Sequence, residues 1–144
     1  TNQPVIARGL ATKETVEIIH KKMREMIAAE SGGKIDAIYY CPHHPETQYG
    51  EGITELRRGC DCRKPKAGMI LTAKDEHKID LAGAIMIGDS WRDIEAGRNA
   101  GLRTIFIDSG AGALKENMRH DKKYSSLLEA AREIITQNKT QNKK

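Results

Sequence analysis

Three cysteines and one histidine form the most chemically informative group in this chain. Cys41 and His43 are separated by one residue, as are Cys60 and Cys62, and residues 44–59 lie between the two pairs. Soft thiolates with an imidazole are the ligands of a four-coordinate structural zinc site. The alternative is three unrelated buried thiols, but Pro, His, Asp, Arg and Lys surround them, which is not core-like sequence. The spacing therefore predicts that zinc staples the loop at residues 41–65.

A second candidate site follows the apolar run at residues 84–87. Gly88 and Asp89 come directly after that run, and Asp93 lies four residues further on. Mg²⁺ prefers carboxylate oxygen and keeps waters, with a substrate phosphate completing its shell. Asp93 could orient a ligand or a lysine. The alternative interpretation is that Asp89 caps a helix and Asp93 complements the helix dipole.

Positive charge is concentrated in the cysteine loop. One acid, Asp61, lies among five basic residues, which are Arg57, Arg58, Arg63, Lys64 and Lys66. Such a patch suits a small anionic substrate, and Lys64 is the compact charge that could neutralise a phosphoryl group. The alternative is a solvated loop whose positive charges only offset the negative charge of the thiolates, and its composition would be the same.

The composition describes a globular domain and argues against several partners. The chain has 144 residues, 38% hydrophobic and 31% charged, with a net charge of +4. Aromatic residues make up only 4%, so stacking on single-stranded nucleic acid is poorly supported. No run reaches membrane-spanning length, and we expect no signal peptide. Thiols committed to metal favour the cytoplasm. We expect one domain at residues 1–136 and a disordered tail at 137–144.

The periodicity of apolar residues predicts four helices and three strands. The first helix would be capped by Thr12, stop at Ser31-Gly32-Gly33, and bury Val16, Ile19, Met23, Met26 and Ile27. The last helix, at 125–136, would bury Leu127, Leu128, Ala131, Ile134 and Ile135. Between them we expect strands at 35–40, 84–87 and 102–107, helices at 68–79 and 91–99, and a turn at 108–112.

Helices that alternate with strands indicate an α/β fold with a parallel sheet. Ligands of such sheets bind beyond the carboxyl ends of the strands. Cys41 and Asp89 each follow a predicted strand, and Thr1 and Asn2 would follow another if a strand precedes them. We therefore expect these polar segments to meet at one edge of the sheet.

Several motifs resemble one known family. They are Thr1-Asn2-Gln3 with Ile6-Ala7-Arg8-Gly9, Tyr39-Tyr40-Cys41-Pro42-His43-His44-Pro45, Cys60-Asp61-Cys62-Arg63-Lys64-Pro65, and Gly88-Asp89. In this order they are similar to motifs of the D-glycero-D-manno-heptose 1,7-bisphosphate 7-phosphatases and their histidinol-phosphatase relatives, within the haloacid dehalogenase superfamily. The resemblance covers residues 1 to about 110.

The resemblance implies a Rossmann-like phosphatase that forms an aspartyl-phosphate with Mg²⁺. Thr1 and Asn2 would bind the transferring phosphate, Lys64 would stabilise the phosphoryl charge, and Arg63 and Arg8 would contact the substrate. Asp89 would bind Mg²⁺. The zinc ligands would be Cys41, His43, Cys60 and Cys62, with His44 the weaker candidate. The substrate would be a small phosphorylated sugar bound by a monomer, and some relatives are joined to a sugar nucleotidyltransferase.

The chain departs from the family pattern in three places. The family's first motif is an Asp-x-Asp that supplies the nucleophile; it precedes the Thr-Asn-Gln segment, and no Asp-x-Asp is found here. We therefore expect a fragment that lacks the first strand, exposes apolar surface and has negligible activity alone. Pro4-Val5 replaces a common Ser-Gly, and the loop at residues 46–59 is long, which leaves heptose specificity open.

Three other functions fit parts of the sequence. Histidinol-phosphate hydrolysis would use the same motifs. A non-catalytic, zinc-stabilised phosphate-binding module would need the loop but not Asp89. Thr1 as an N-terminal nucleophile would need a β-rich sandwich, whereas helices and strands alternate here.

Overall fold

The structure is a computed structural model that describes residues 1–45, 52–110 and 118–141. The chain forms two compact units, Thr1–Arg63 and Lys64–Lys144. Part of the predicted long loop, at 46–51, part of the predicted turn, at 111–112, and the last three residues of the predicted tail lie outside the described residues. No helix in the described ranges is both long and apolar enough to cross a membrane.

The first unit contains two helices and a metal-ligand loop. Helix α1 spans Pro4–Ala7 and helix α2 spans Lys13–Ser31. The Thr12 side chain caps α2, as predicted. The helix ends at Ser31, within the predicted stop, and Gly32 follows it in the left-handed conformation. A 3₁₀ turn follows at Thr54–Leu56.

The predicted strand at residues 35–40 is not formed as a strand. The chain there makes one isolated parallel bridge, between Asn2 and Cys41. Two backbone hydrogen bonds support it, from Gln3 N to the Cys41 oxygen and from Cys41 N to the Thr1 oxygen. The ladder is short because Pro4 begins α1 immediately after the bridge.

The second unit is a three-stranded parallel sheet with helices. Its elements are α3 (Gly68–His77), β1 (Ile85–Gly88), α4 (Trp91–Asn99), β2 (Arg103–Ile107), β3 (Lys122–Tyr124) and α5 (Leu127–Gln141), with a 3₁₀ turn at Leu81–Gly83. The strand order is β1-β2-β3, and both pairings are parallel. The predicted parallel α/β architecture is therefore confirmed, and the predicted bounds of α4 match those observed.

Strand β3 was not predicted. It is three residues long and reads Lys-Lys-Tyr, so it carries neither apolar alternation nor β-branched side chains. Its pairing is supported by Asp121, whose carboxylate accepts hydrogen bonds from the Thr104 amide and hydroxyl groups at 2.7 and 2.9 Å. These bonds lower the pKa of Asp121.

The core of the second unit lies on both faces of β2. Ile105 and Ile107 pack with Ala130 of α5, and Ile85, Ile87, Tyr124 and Ile134 pack around them. On the α4 side, a Cβ added at Gly97 would lie 2.6 Å from the Cβ of Met86. The helix can therefore approach the sheet closely only with glycine at this position.

Several predicted core residues are exposed. In α2 Val16 is buried, but Ile19 is 58% exposed, and Met23 and Met26 are also exposed. In α5 the predicted Leu127, Leu128 and Ile135 are exposed, whereas Ala130 is fully buried. Periodicity identified apolar stripes, but no described residues cover these stretches.

Helix α5 extends further than predicted. It continues to Gln141, so residues 137–141 are helical and the prediction of a disordered tail is wrong for them. Polar side chains support these turns, since Gln137 donates to Glu133 at 2.8 Å and the Thr140 hydroxyl donates to the Thr136 carbonyl at 3.0 Å. Composition alone did not reveal these i,i+4 contacts.

Two isoleucines, one buried and one exposed, test this description of the core. Ile105 is 1% exposed and Ile135 is 54% exposed. We expect Ile105→Ala to lower the free energy of unfolding by about 2–5 kcal/mol, and Ile135→Ala to lower it by less than about 1 kcal/mol. Urea unfolding of both variants measures the difference, and equal losses would contradict the placement of α5.

Candidate functional site

The four predicted metal ligands of the first unit come together. The ligand atoms of Cys41, His43, Cys60 and Cys62 all lie within 4.8 Å of one another. Among the residues described, this is the only group of three or more His, Cys, Asp or Glu side chains placed to hold a metal ion. All three cysteines are free thiols, and Cys41 is completely buried.

The distances within this group suit a tetrahedral ion. The sulfur of Cys41 lies 3.4 Å from that of Cys60 and 3.1 Å from that of Cys62, and the Cys60 and Cys62 sulfurs are 3.3 Å apart. Sulfurs around a tetrahedral ion at about 2.3 Å would be roughly 3.8 Å apart, so shifts of a few tenths of an ångström accommodate the metal. The residues present therefore fit a metal centre.

His43 faces the sulfurs through one ring nitrogen. Its Nδ1 lies 3.4 Å from the Cys62 sulfur and 3.7 Å from the Cys41 sulfur. Its Nε2 lies 3.4 Å from a guanidinium nitrogen of Arg58. Burial and the positive charge of Arg58 lower the pKa of His43. A neutral imidazole is the form that ligates metal, and Nδ1 is the nitrogen that faces the sulfurs. Coordination through Nδ1 places the ring proton on Nε2, so the contact between Nε2 and Arg58 is then not a hydrogen bond.

Electrostatics keep the three thiols from ionising together. Burial raises the pKa of Cys41, and burial with the neighbouring thiols raises the pKa of Cys62. Burial also acts to raise the pKa of Cys60, but hydrogen bonds from Cys62, Cys41 and the backbone outweigh it and lower that pKa. One thiolate is thus stabilised by its neighbours, whereas three thiolates require a cation among them.

Backbone groups of His43 and Cys41 also bond to residues of neighbouring segments. Arg63 donates from Nη1 to the His43 carbonyl at 2.9 Å, so a predicted substrate-binding residue is tied to a predicted metal ligand. The Asn2–Cys41 bridge connects the cluster to the predicted phosphate-binding residues Thr1 and Asn2. His44, the weaker zinc candidate, lies outside the cluster and instead contacts Arg8.

The second unit holds the other predicted residues, Lys64 and Asp89. The Lys64 ammonium group donates a hydrogen bond to Asp93 Oδ1, and both side chains are largely buried. Asp89 is exposed directly after β1. Asp93 therefore orients a lysine, the second of its two predicted roles.

Asp93 also caps α4. Its Oδ2 accepts a hydrogen bond from the Ser90 amide at 3.1 Å, while the Ser90 side chain accepts one from the amide of Arg92. Ser90 and Asp93 form a capping box, with the acid in the third helical position. Ser-x-x-acid spacing after a strand was the sequence signal for this arrangement.

Gly88 allows Asp93 to reach both partners. A Cβ added at Gly88 would lie 2.2 Å from the Cβ of Asp93 and 2.5 Å from its carboxyl carbon. Such distances are far inside van der Waals contact. Any larger residue at position 88 must therefore displace Asp93 from Lys64.

The chain is similar in sequence to known hydrolases. A family model described as HAD-hydrolase-like matches residues 61–130. The chain is 38% identical over 112 residues to the D-glycero-beta-D-manno-heptose-1,7-bisphosphate 7-phosphatase of Pseudomonas aeruginosa, covering 78% of this chain and 56% of that protein. It is 43% identical over 111 residues to the enzyme of the same name from Vibrio cholerae, covering 76% and 57%.

One solved structure is similar over most of the chain. The crystal structure of D,D-heptose 1,7-bisphosphate phosphatase from Bordetella bronchiseptica, complexed with magnesium and phosphate, matches with a TM-score of 0.74 and 33% identity. The match covers 95% of this chain and 72% of that one. The chain spans a little over half the length of the curated relatives described above.

Metal binding by the cluster can be tested with two histidines. We expect the wild-type chain to retain one divalent ion after dialysis, and His43→Ala to lose most of it because one of the four ligands is removed. His77→Ala, on the exposed surface of α3, should retain the ion. Elemental analysis measures the ratio, and retention by His43→Ala would contradict the ligand assignment.

Two glycines test the packing at Asp93. We expect Gly88→Ala to destabilise the protein by about 2 kcal/mol or more, because Asp93 loses its place beside Lys64. Gly83→Ala is the matched control, since a Cβ there meets nothing within 4 Å. Equal unfolding midpoints for the two variants would show that Asp93 does not pack as described.

Proposed function

The chain belongs to the heptose-bisphosphate phosphatase group of the HAD-like hydrolases, and on that premise we propose that the whole protein hydrolyses a phosphate monoester of a sugar. The proposed substrate is D-glycero-D-manno-heptose 1,7-bisphosphate, and the group removed is its 7-phosphate. The observation that carries this proposal is the 33% identity across 72% of a phosphatase crystallised with magnesium and phosphate.

We propose zinc as the ion of the cysteine cluster. Three thiolates and one imidazole are soft and borderline ligands that select zinc over magnesium or calcium. Four protein ligands leave no open position for substrate or water, so the ion would be structural. It would hold residues 41–43 and 60–62 together and, through the bond from Arg63 to the His43 carbonyl, fix the direction of Arg63.

Magnesium would be held by Asp89. A hard cation of this kind is bound by one or two carboxylates together with waters and a substrate phosphate. Asp89 is exposed immediately beyond β1, where ligands of parallel sheets bind. When bound, the ion would neutralise phosphate oxygens in the transition state.

The remaining site residues would act on the phosphate and the sugar. Lys64 would balance the charge that develops on the transferring phosphoryl group, with its ammonium held in place by Asp93. Thr1 and Asn2 would donate hydrogen bonds to that phosphate, and Arg63 and Arg8 would bind the substrate outside the reacting group. The covalent nucleophile would be an aspartate of the family's first motif.

The thiol ligands fit a reducing compartment, which supports a cytoplasmic location. The expected partner is a small phosphorylated sugar and not a nucleic acid. These proposals follow from ligand chemistry and from composition, with 4% aromatic residues.

Lys64 gives the most direct test of the reaction. In the whole protein with Mg²⁺, we expect Lys64→Met to lower kcat for the heptose bisphosphate by about 10²–10³-fold, because one charge that stabilises the transition state is lost. Lys74→Met, on the exposed surface of α3, should change kcat by less than about twofold. Phosphate release measures both rates.

The substrate assignment has its own outcome. If kcat/KM is higher for histidinol phosphate than for the heptose bisphosphate, the protein is a histidinol-phosphate phosphatase and the heptose assignment is wrong. Absence of phosphate release from any sugar phosphate would refute the proposed function.

A further inference from the structure

The two adjacent histidines of the metal loop have different neighbours. His43 turns its Nδ1 toward the sulfurs, 3.4 Å from Cys62. His44 is only 5% exposed, and its Nε2 lies 3.2 Å from Nη2 of Arg8. The His44 amide also donates to the Leu56 carbonyl at 3.1 Å. The pair thus divides into a predicted metal ligand and a residue that contacts the guanidinium of the half-buried Arg8.

The contact with Arg8 defines the chemical role of the His44 ring. A guanidinium only donates hydrogen bonds, so Nε2 of His44 must accept and carry no proton. A neutral imidazole with its proton on Nδ1 meets that requirement. His44 therefore acts as an acceptor of fixed direction on a well-packed backbone.

The backbone around Arg8 is anchored independently of His44. The Arg8 amide donates to the Pro4 carbonyl at 3.0 Å, and the following residue, Gly9, has a φ of 70°. The Ala7 carbonyl accepts from the Ile53 amide at 3.0 Å. A Cβ added at Gly52 would lie 2.5 Å from that carbonyl, so the two segments are in close contact. The base of the Arg8 side chain is held, and side-chain partners set the direction of its guanidinium.

We propose that His44 is a positioning residue that aims the Arg8 guanidinium at a phosphate oxygen of the substrate. The inference rests on the proposed function, in which Arg8 contacts the substrate. Arginine has a large rotamer entropy, and its planar fork binds phosphate only in a narrow range of orientations. An acceptor that orders the fork before substrate arrives strengthens ground-state binding. His44 therefore acts on KM and not on the chemical step.

The experiment uses the whole protein loaded with zinc and magnesium, with the heptose bisphosphate as substrate. His44→Leu keeps a side chain of similar size without an acceptor, and His44→Gln keeps an amide oxygen that can accept from Arg8. We expect His44→Leu to raise KM by about tenfold or more, the cost of one hydrogen bond to a charged group, with kcat changed by less than about twofold. His44→Gln should recover most of that loss.

A double-mutant cycle separates positioning from general packing. We expect His44→Leu to have no further effect on KM in an Arg8→Gln background, because the guanidinium it positions is gone. If His44→Leu does not fold, a cycle that combines Arg8→Gln with His44→Ala measures the same coupling, because alanine also removes the acceptor. His77→Gln is the matched control on an exposed helix surface and should leave KM unchanged.

Zinc content provides the second readout. All His44 variants should retain one zinc per chain, whereas His43→Ala should not. Loss of zinc from His44→Leu, or an equal rise in KM in both Arg8 backgrounds, would overturn the positioning role. If the wild-type protein releases no phosphate from sugar phosphates, the proposed function fails and the inference fails with it; an active wild type with an additive cycle removes the inference alone.

Discussion

The first unit depends on three sulfurs and one imidazole nitrogen that occupy a space of less than 4.8 Å. Thiols cannot all ionise at such distances without a cation, and two of the three have raised pKa values. An ion bound here would join residues that are far apart in sequence and would close the loop that carries the basic side chains. A loop of this kind has no strand or helix of more than one turn to order its described residues, so the ligands must do so.

Residues of the cluster and its neighbour His44 contact side chains and backbone outside the cluster. Cys41 is bridged to Asn2, His43 receives a hydrogen bond from Arg63, and His44 contacts Arg8. Each of these partners belongs to a predicted phosphate- or substrate-binding motif. The metal loop is therefore connected through the backbone and through single side-chain contacts to groups suited to binding an anion. In the second unit, Asp93 likewise joins two segments of the chain. It caps α4 and accepts a hydrogen bond from Lys64.

Features set by short-range sequence could be predicted well. The one-residue spacing within each ligand pair (Cys41 with His43, Cys60 with Cys62), the bounds of α4 and the Thr12 cap of α2 all depend on a few neighbouring residues. Features that depend on distant partners could not. Strand β3 exists because β2 and Asp121 provide its hydrogen bonds, and nothing within Lys122–Tyr124 signals it. Ile19 and Met23 have helical spacing, but burial also requires a covering surface that periodicity does not supply. The contact between His44 and Arg8 joins residues 36 positions apart, and only the folded chain brings them together.

X-ray absorption at the zinc edge tests the central claim most directly. The metal-loaded protein should show three sulfur scatterers at about 2.3 Å and one nitrogen scatterer at about 2.0 Å, in four-fold coordination. A shell of five or six oxygen and nitrogen atoms, or fewer than three sulfurs, would contradict the account.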